Sequence, residues 1–202
     1  MTATQNAVKI YKLSKAGDGM CLSSTVQLRP ATRQDADFLY RLHKAAMQHY
    51  VAQTWGWDEA WQQQHFRQHF DPSTCQIIVS HGHTVGVLAV GRDASAVYLH
   101  NIEVLPAYQG HGLGTHLINT LLAEAHHSDR PLVLQVLKVN PTRHLYARLG
   151  FTITEETPTH YVMHAWPKGV AASGGRDQHV SDVGSRKASR EVVPVGKGSS
   201  SP

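Results

Sequence analysis

Seven residues near the middle of the chain, Gln109-Gly110-His111-Gly112-Leu113-Gly114-Thr115, join a strand-like stretch, Val97 to Val104, to an apolar-periodic helix. Three glycines in five positions let the main chain approach a ligand closely, and the helix behind them turns unpaired N–H groups and its positive dipole end toward it. Such a turn suits a phosphate. Spacing excludes two familiar phosphate loops. A P-loop needs Gly-Lys-Ser/Thr, whereas Gly114-Thr115-His116 stands here and the next lysine is Lys138. A dinucleotide fingerprint counted from Gly110 and Gly112 needs a third glycine where Thr115 lies. What remains is Gln109-x-x-Gly112-x-Gly114.

That hexapeptide, with Asn140, Tyr146 and Gly150-Phe151 downstream, resembles motif A and the following segments of the GNAT superfamily of acyl-CoA N-acyltransferases. The resemblance extends from Val26 to Trp166 and includes the whole strand-loop-helix-strand-helix-strand order. It implies acetyl-CoA as co-substrate, lying where the strand ending at Val104 parts from the strand Leu132 to Val139. Parted strands leave buried main-chain groups unpaired, which is costly unless a ligand supplies partners. The amide-rich pantetheine arm is such a ligand. In the family the strand before the loop carries a bulge whose free N–H groups bind the arm and polarise the thioester carbonyl; by position these are Ile102, Glu103, Val104 and Leu105. The pyrophosphate would then meet the N–H groups of Gln109, Gly110, His111, Gly112, Leu113, Gly114 and Thr115. One charge at a helix start gains only about 0.3–1 kcal/mol, so several amides must act together.

The resemblance places Tyr146 where the family tyrosine protonates or hydrogen-bonds the departing CoA thiolate. A thiol with pKa near 8.5 and a phenol near 10 make that transfer roughly balanced. A tyrosine on a short helix is also often simple packing. Asn140 lies six residues ahead of Tyr146 where the family spacing is seven, so it either caps the helix and touches pantetheine or only caps.

Making an alkylamine nucleophilic at neutral pH costs about 4–5 kcal/mol, because its pKa of about 10.4 keeps it protonated. Glu103, on the strand that presents the thioester, is the first candidate base, directly or through water; its plain alternative is a solvated carboxylate. Tyr98 and His100 have the opposite parity on that strand, so regular alternation keeps them off the Glu103 face and makes them the second choice. Glu155 and His160 are weaker options. The segment Thr54-Trp55-Gly56-Trp57-Asp58-Glu59 falls where GNAT proteins build the acceptor wall: Trp55 and Trp57 are suited to enclose a substrate and Asp58 to attract a cationic amine, or else the segment is a hydrophobic plug with a helix cap. Cys75, at a strand start outside the coenzyme motif, is poorly placed as a nucleophile. The reading is therefore direct acetyl transfer to a primary amine, small-molecule or peptide, through a ternary complex. The alternative is a non-catalytic CoA-binding or regulatory module of the same fold.

The elements that must position these groups follow from local pattern. Val26 to Pro30 alternates and stops at proline. Asp35 is placed to cap a helix carrying Phe38, Leu39, Leu42, Ala45, Ala46 and Tyr50, and Asp58 to cap a second, Glu59 to Phe70. Cys75 to Ser80, Thr84 to Gly91 and Ala96 to Val104 form an antiparallel meander. Leu113, Leu117, Ile118, Leu121, Leu122 and Ala125 make one broad helical face. Leu132 to Leu137 reads as a central strand, Pro141 to Leu149 as a short helix ended by Gly150, and Phe151 to Thr154 with Tyr161 to Trp166 as a last strand pair. The expected fold is α/β: a single GNAT domain, 26–166, with a mixed, mostly antiparallel sheet of about seven strands and about four helices, splayed in the middle. Residues 1–25 read as a flexible extension and 167–202 as a disordered basic Gly/Ser-rich tail.

The formal net charge of +4 belongs to those flanks, since residues 26–166 sum to −1. A nucleic-acid face is therefore not expected. Fourteen of the fifteen histidines lie within 26–166 but none forms a His-Glu-x-x-His or a Cys/His knuckle, so no metal is expected. The two cysteines and the absence of a signal-peptide pattern point to the cytoplasm, and no apolar run approaches the ~20 residues of a membrane span. A homodimer is left open.

Overall fold

The computed structural model of the chain describes residues 9–13 and 24–167; the rest of the N-terminal extension, and the tail from 168 onward, lie outside the described residues. Among the described residues eight strands form, β1 (Lys9–Leu13), β2 (Ser24–Pro30), β3 (Gln76–Ser80), β4 (His83–Arg92), β5 (Val97–Val104), β6 (Leu132–Leu137), β7 (Thr152–Glu156) and β8 (His160–Ala165). Four helices accompany them: α1 (Ala36–Trp55), α2 (Glu59–His69), α3 (Leu113–His127) and α4 (Thr142–Arg148). The strands make one sheet in the order β1-β2-β3-β4-β5-β6-β8-β7, in which only β5 and β6 are parallel. β2 to β8 are the mixed, mostly antiparallel seven-stranded sheet expected of residues 26–166, and β1 adds an eighth strand beside β2.

Helical periodicity dictates the layers. The apolar residues of α3 expected from sequence are all buried, and they join Val26, Leu28, Ile78, Leu88, Val97 and Leu99 of the sheet in one core. Each such Leu, Ile or Val side chain contributes roughly 1.5–3 kcal/mol by leaving water. On the other face Leu39 and Leu42 of α1 meet Ile77 and Val87, with Phe66 and Phe70 packed against them. α1 also runs past the expected break at Thr54, to Trp55, and is ended by Gly56 at φ +89°. No described helix is long and apolar enough to cross a membrane.

Asp35 differs from expectation. Its carboxylate does not cap α1 but accepts two hydrogen bonds from Arg29, at 2.9 and 2.7 Å, and one from the Thr32 N–H at 2.8 Å. A charged donor on β2 outcompetes neutral amides at the helix start, so Asp35 ties strand to helix across the intervening turn.

Two irregularities shape the middle of the sheet. β5 and β6 pair only through Val97↔Leu132, Tyr98↔Val133 and Leu99↔Leu134, then part, although β5 continues to Val104 and β6 to Leu137. And the register between β4 and β5 slips between Ala89↔Asn101 and Val90↔Leu99, leaving His100 as the extra residue of a bulge.

Candidate functional site

Beyond Leu99 one edge of β5 has lost its partner. Leu105 N–H donates to Val85 O at 2.8 Å, and the antiparallel register carries that pattern back along the strand, so the N–H of Glu103 also faces β4. The N–H groups of Ile102 and Val104 therefore face the opening between β5 and β6. Of the four strand residues expected to present amides, these two do so, while Glu103 and Leu105 spend theirs inside the sheet. The side chains of Ile102 and Val104 pack in the α3 core, which fixes the strand from behind.

From the end of β5 the chain makes a 3-10 turn, Pro106–Tyr108, and enters the glycine loop. The Gln109 side-chain amide donates to Val104 O at 2.8 Å and holds the loop against the strand end. Gly110 and Gly112 sit at φ +77° and +81°, a region that favours glycine, and Gly112 is the N-terminal cap of α3. No side chain caps this helix and no acidic residue occupies its first turn. Buried Leu113 anchors it to the core, while the exposed His111 and partly exposed Gly114 and Thr115 flank a helix start whose positive end is unopposed. A Cβ at Gly114 would meet nothing within 4 Å, so the space in front of the loop is open.

Tyr146 lies on α4, which the chain enters after leaving the C-terminal end of β6. It is 7% exposed, its ring packs on Phe151 with centroids 5.7 Å apart, and burial pushes its hydroxyl up to about 12. A phenol that holds its proton more firmly than a CoA thiol is a hydrogen-bond donor to sulfur before it is an acid. Asn140, also buried, accepts from the Thr142 N–H through Oδ1 at 2.9 Å, so the capping half of its expected role is what its oxygen does.

Glu103 is not a solvated strand carboxylate. It is 7% exposed, and its Oε1 lies 2.9 Å from Nδ1 of His43 on α1. Burial pulls the His43 imidazole down, but the charge and hydrogen bond of Glu103 override it and leave the group raised. His43 Nε2 is buried with no hydrogen-bond partner among the described residues. The sequence reading missed His43; its signal was the spacing of one helical turn from Leu39, which puts it on the sheet-facing side.

The bulge overturns the parity argument. Glu103 pairs with Val87 and Tyr98 with Gly91, positions on the same face of β4, so Tyr98 and Glu103 share a face despite their odd and even numbers. The His100 ring joins them, stacked on Tyr98 and covering Gly91 so closely that a Cβ there would fall 2.3 Å from Nε2.

The segment between α1 and α2 is held on that face. Trp57 packs beside His43, with centroids 6.3 Å apart, and donates its indole N–H to Glu59 at 2.9 Å. Glu59 also accepts from Tyr40 at 2.9 Å and pairs with Lys44 at 2.8 Å, and its contacts with Lys44 and Trp57 bring it down to about 2. Trp55 packs against His160 on β8, with centroids 5.8 Å apart. Asp58 is an exposed helix cap, accepting from Trp61 N–H at 2.9 Å. Glu155 and Glu156 are exposed on β7, and Glu156 is paired with Lys138.

Comparison with known proteins gives the family and the fold. Residues 36–151 match the sequence profile of the family described as Acetyltransferase (GNAT). Against curated protein sequences the chain has no match. In shape it is similar to the PaiA N-acetyltransferase from Thermoplasma acidophilum in complex with coenzyme A, at 13% identity over 70% of this chain and 98% of that one, TM-score 0.58. It is similar too to an acetyltransferase from Thermus thermophilus (20% identity, 70% and 96% covered, TM-score 0.54). A third likeness is to the ribosomal-protein-S18-alanine N-acetyltransferase from Escherichia coli (18% identity, 75% and 99% covered, TM-score 0.52). At such identities the likeness is one of fold.

Proposed function

The chain belongs to the GNAT acetyltransferase family, and from that premise we propose that it moves the acetyl group of acetyl-CoA directly to a primary amine within a ternary complex. The observation that carries this reading is the opening between β5 and β6, with two unpaired strand amides on its edge and an uncapped helix start at its mouth. The pantetheine arm takes the place of the missing strand rungs, the N–H groups of Ile102 and Val104 polarise the thioester and hold the oxyanion, and the loop from Gln109 to Thr115 binds the diphosphate. Asn140 and Tyr146 line the thiol end, where Tyr146 donates a hydrogen bond to the departing sulfur. The amine arrives past Trp55, Trp57 and Asp58 and gives up its proton to the pair formed by Glu103 and His43.

The test is release of free CoA thiol on mixing acetyl-CoA with a panel of amines. One solved neighbour is named for an alanine of ribosomal protein S18, so the panel includes peptides beside polyamines and aminoglycosides. Turnover with at least one class is expected. Tight CoA binding without turnover on any of them would replace this reading with a CoA-binding regulatory module.

A further inference from the structure

Building on the transferase reading, we propose that Nε2 of His43 is the atom that receives the amine proton, with Glu103 as the positioning residue that fixes the imidazole through Nδ1. Three independent features of the geometry converge on this. The Nδ1 to Oε1 contact of 2.9 Å uses one ring nitrogen as the donor to a buried carboxylate, and so assigns the tautomer with its lone pair on Nε2. That Nε2 is buried and unpartnered among the described residues, an arrangement that leaves an acceptor waiting for a donor. And the ring lies beside Trp57 of the expected acceptor wall, on the face of the strand that bears Glu103.

In the step this allows, the amine nitrogen bonds to the thioester carbonyl carbon while the carbonyl electron pair moves to oxygen, and the proton shed by nitrogen goes to Nε2. The oxygen pair then re-forms the carbonyl and the C–S bond breaks with its electrons on sulfur. The thiolate, hydrogen-bonded by Tyr146, is protonated through solvent by the His43 imidazolium, which restores the base. Acetylated amine and free CoA thiol balance the two substrates.

The titratable groups on the side of His43 are Glu103 from β5, with Tyr98 and His100 on the same face of that strand, and, next to Trp57, Glu59 of α2 with its partners Lys44 and Tyr40 of α1. Glu103 is the one in contact, and its charge holds the imidazole above its ordinary value, so the wild-type rate should rise with pH through that raised value. The experiment is the pH profile of kcat for the full chain, its His43→Gln and its Glu103→Gln variants, beside a ¹⁵N titration of the His43 ring in the wild type. Expected are a ring titration that coincides with the acidic limb, loss of that limb in His43→Gln with kcat down about 100-fold at unchanged CoA affinity, and a limb displaced to lower pH in Glu103→Gln. An active wild type whose His43→Gln variant keeps the limb, or whose His43 ring titrates away from it, overturns the assignment alone. A wild type that binds CoA and turns over no amine overturns the transferase reading and the assignment with it.

Discussion

The glycines of the loop separate into two kinds. Gly110 and Gly112 are required by their backbone, at φ +77° and +81°, so a side chain at Gly112 strains the turn whatever ligand is present. The loop carries a cleaner probe. Gly114 lies in the first turn of α3 with ordinary helical backbone and open space where a Cβ would stand, so Gly114→Val is expected to spare the protein's own packing and to place methyl groups in the proposed diphosphate site. Calorimetry should find acetyl-CoA affinity down at least tenfold with the thermal midpoint within a few degrees of wild type. Unchanged affinity would remove the loop from the coenzyme site. Tyr146 is a residue whose environment narrows its chemistry: with its hydroxyl near 12, Tyr146→Phe should lower kcat about tenfold, one hydrogen bond's worth, at unchanged affinity for CoA. A loss of several thousandfold would mean that it does transfer its proton.

At the scale of elements the site depends on how β5 is held between a partner that stays and one that leaves. Close approach on the β4 side needs Gly86, where a Cβ would fall 2.4 Å from Glu103 O and 3.3 Å from Val104 Cα. Both are main-chain atoms of the strand that presents the amides, so they cannot swing aside. Gly86→Ala is expected to push this end of β5 toward the opening and to cost activity more than ordinary stability scales predict, at least tenfold in kcat/KM, read in the thiol-release assay. Wild-type kinetics from a stable Gly86→Ala protein would show that the strand position is not critical. Glu59 has a comparable part for the proposed acceptor wall: Tyr40, Lys44 and Trp57 converge on it, so one carboxylate ties the segment between α1 and α2 to α1.

For the molecule as a whole, the contact of Arg29 with Asp35 joins strand β2 to the start of α1, and it has a pH signature. Hydrogen bonding to Arg29 lowers Asp35 to about 2, below the ~3.9 of an unfolded aspartate. A depressed carboxylate gives stability that is fully present above the unfolded value and is lost as pH falls toward the folded one. Thermal midpoints followed from pH 5 to pH 2 should fall in the wild type, and fall less steeply in Asp35→Asn, whose midpoint at pH 7 starts lower. Parallel curves for the two proteins would leave this ion pair without a role in acid stability. α3 is the largest single contributor to the core, and Leu117, 1% exposed, should cost about 2–5 kcal/mol on replacement by alanine, measured by urea unfolding.

What the sequence determined by itself was whatever local pattern encodes. The helical stripe of α3, the alternation of β2, the Asp58 cap, the glycine loop and the order of elements are each written in consecutive residues, because backbone sterics and periodic burial act over a turn or a few rungs. Tertiary structure decided the rest. His43 and Glu103 are sixty residues apart in sequence and meet only because α1 lies across the sheet on the face that Glu103 takes. That face is itself a tertiary outcome: one extra residue at His100, accommodated against β4, reverses the alternation beyond it and brings Tyr98, His100 and Glu103 to one side. The opening beside Ile102 and Val104 likewise exists because β6, paired along its length with β8 on its other edge, parts from β5 after Leu134, a divergence between strands far apart in the chain that no stretch of β5 could announce.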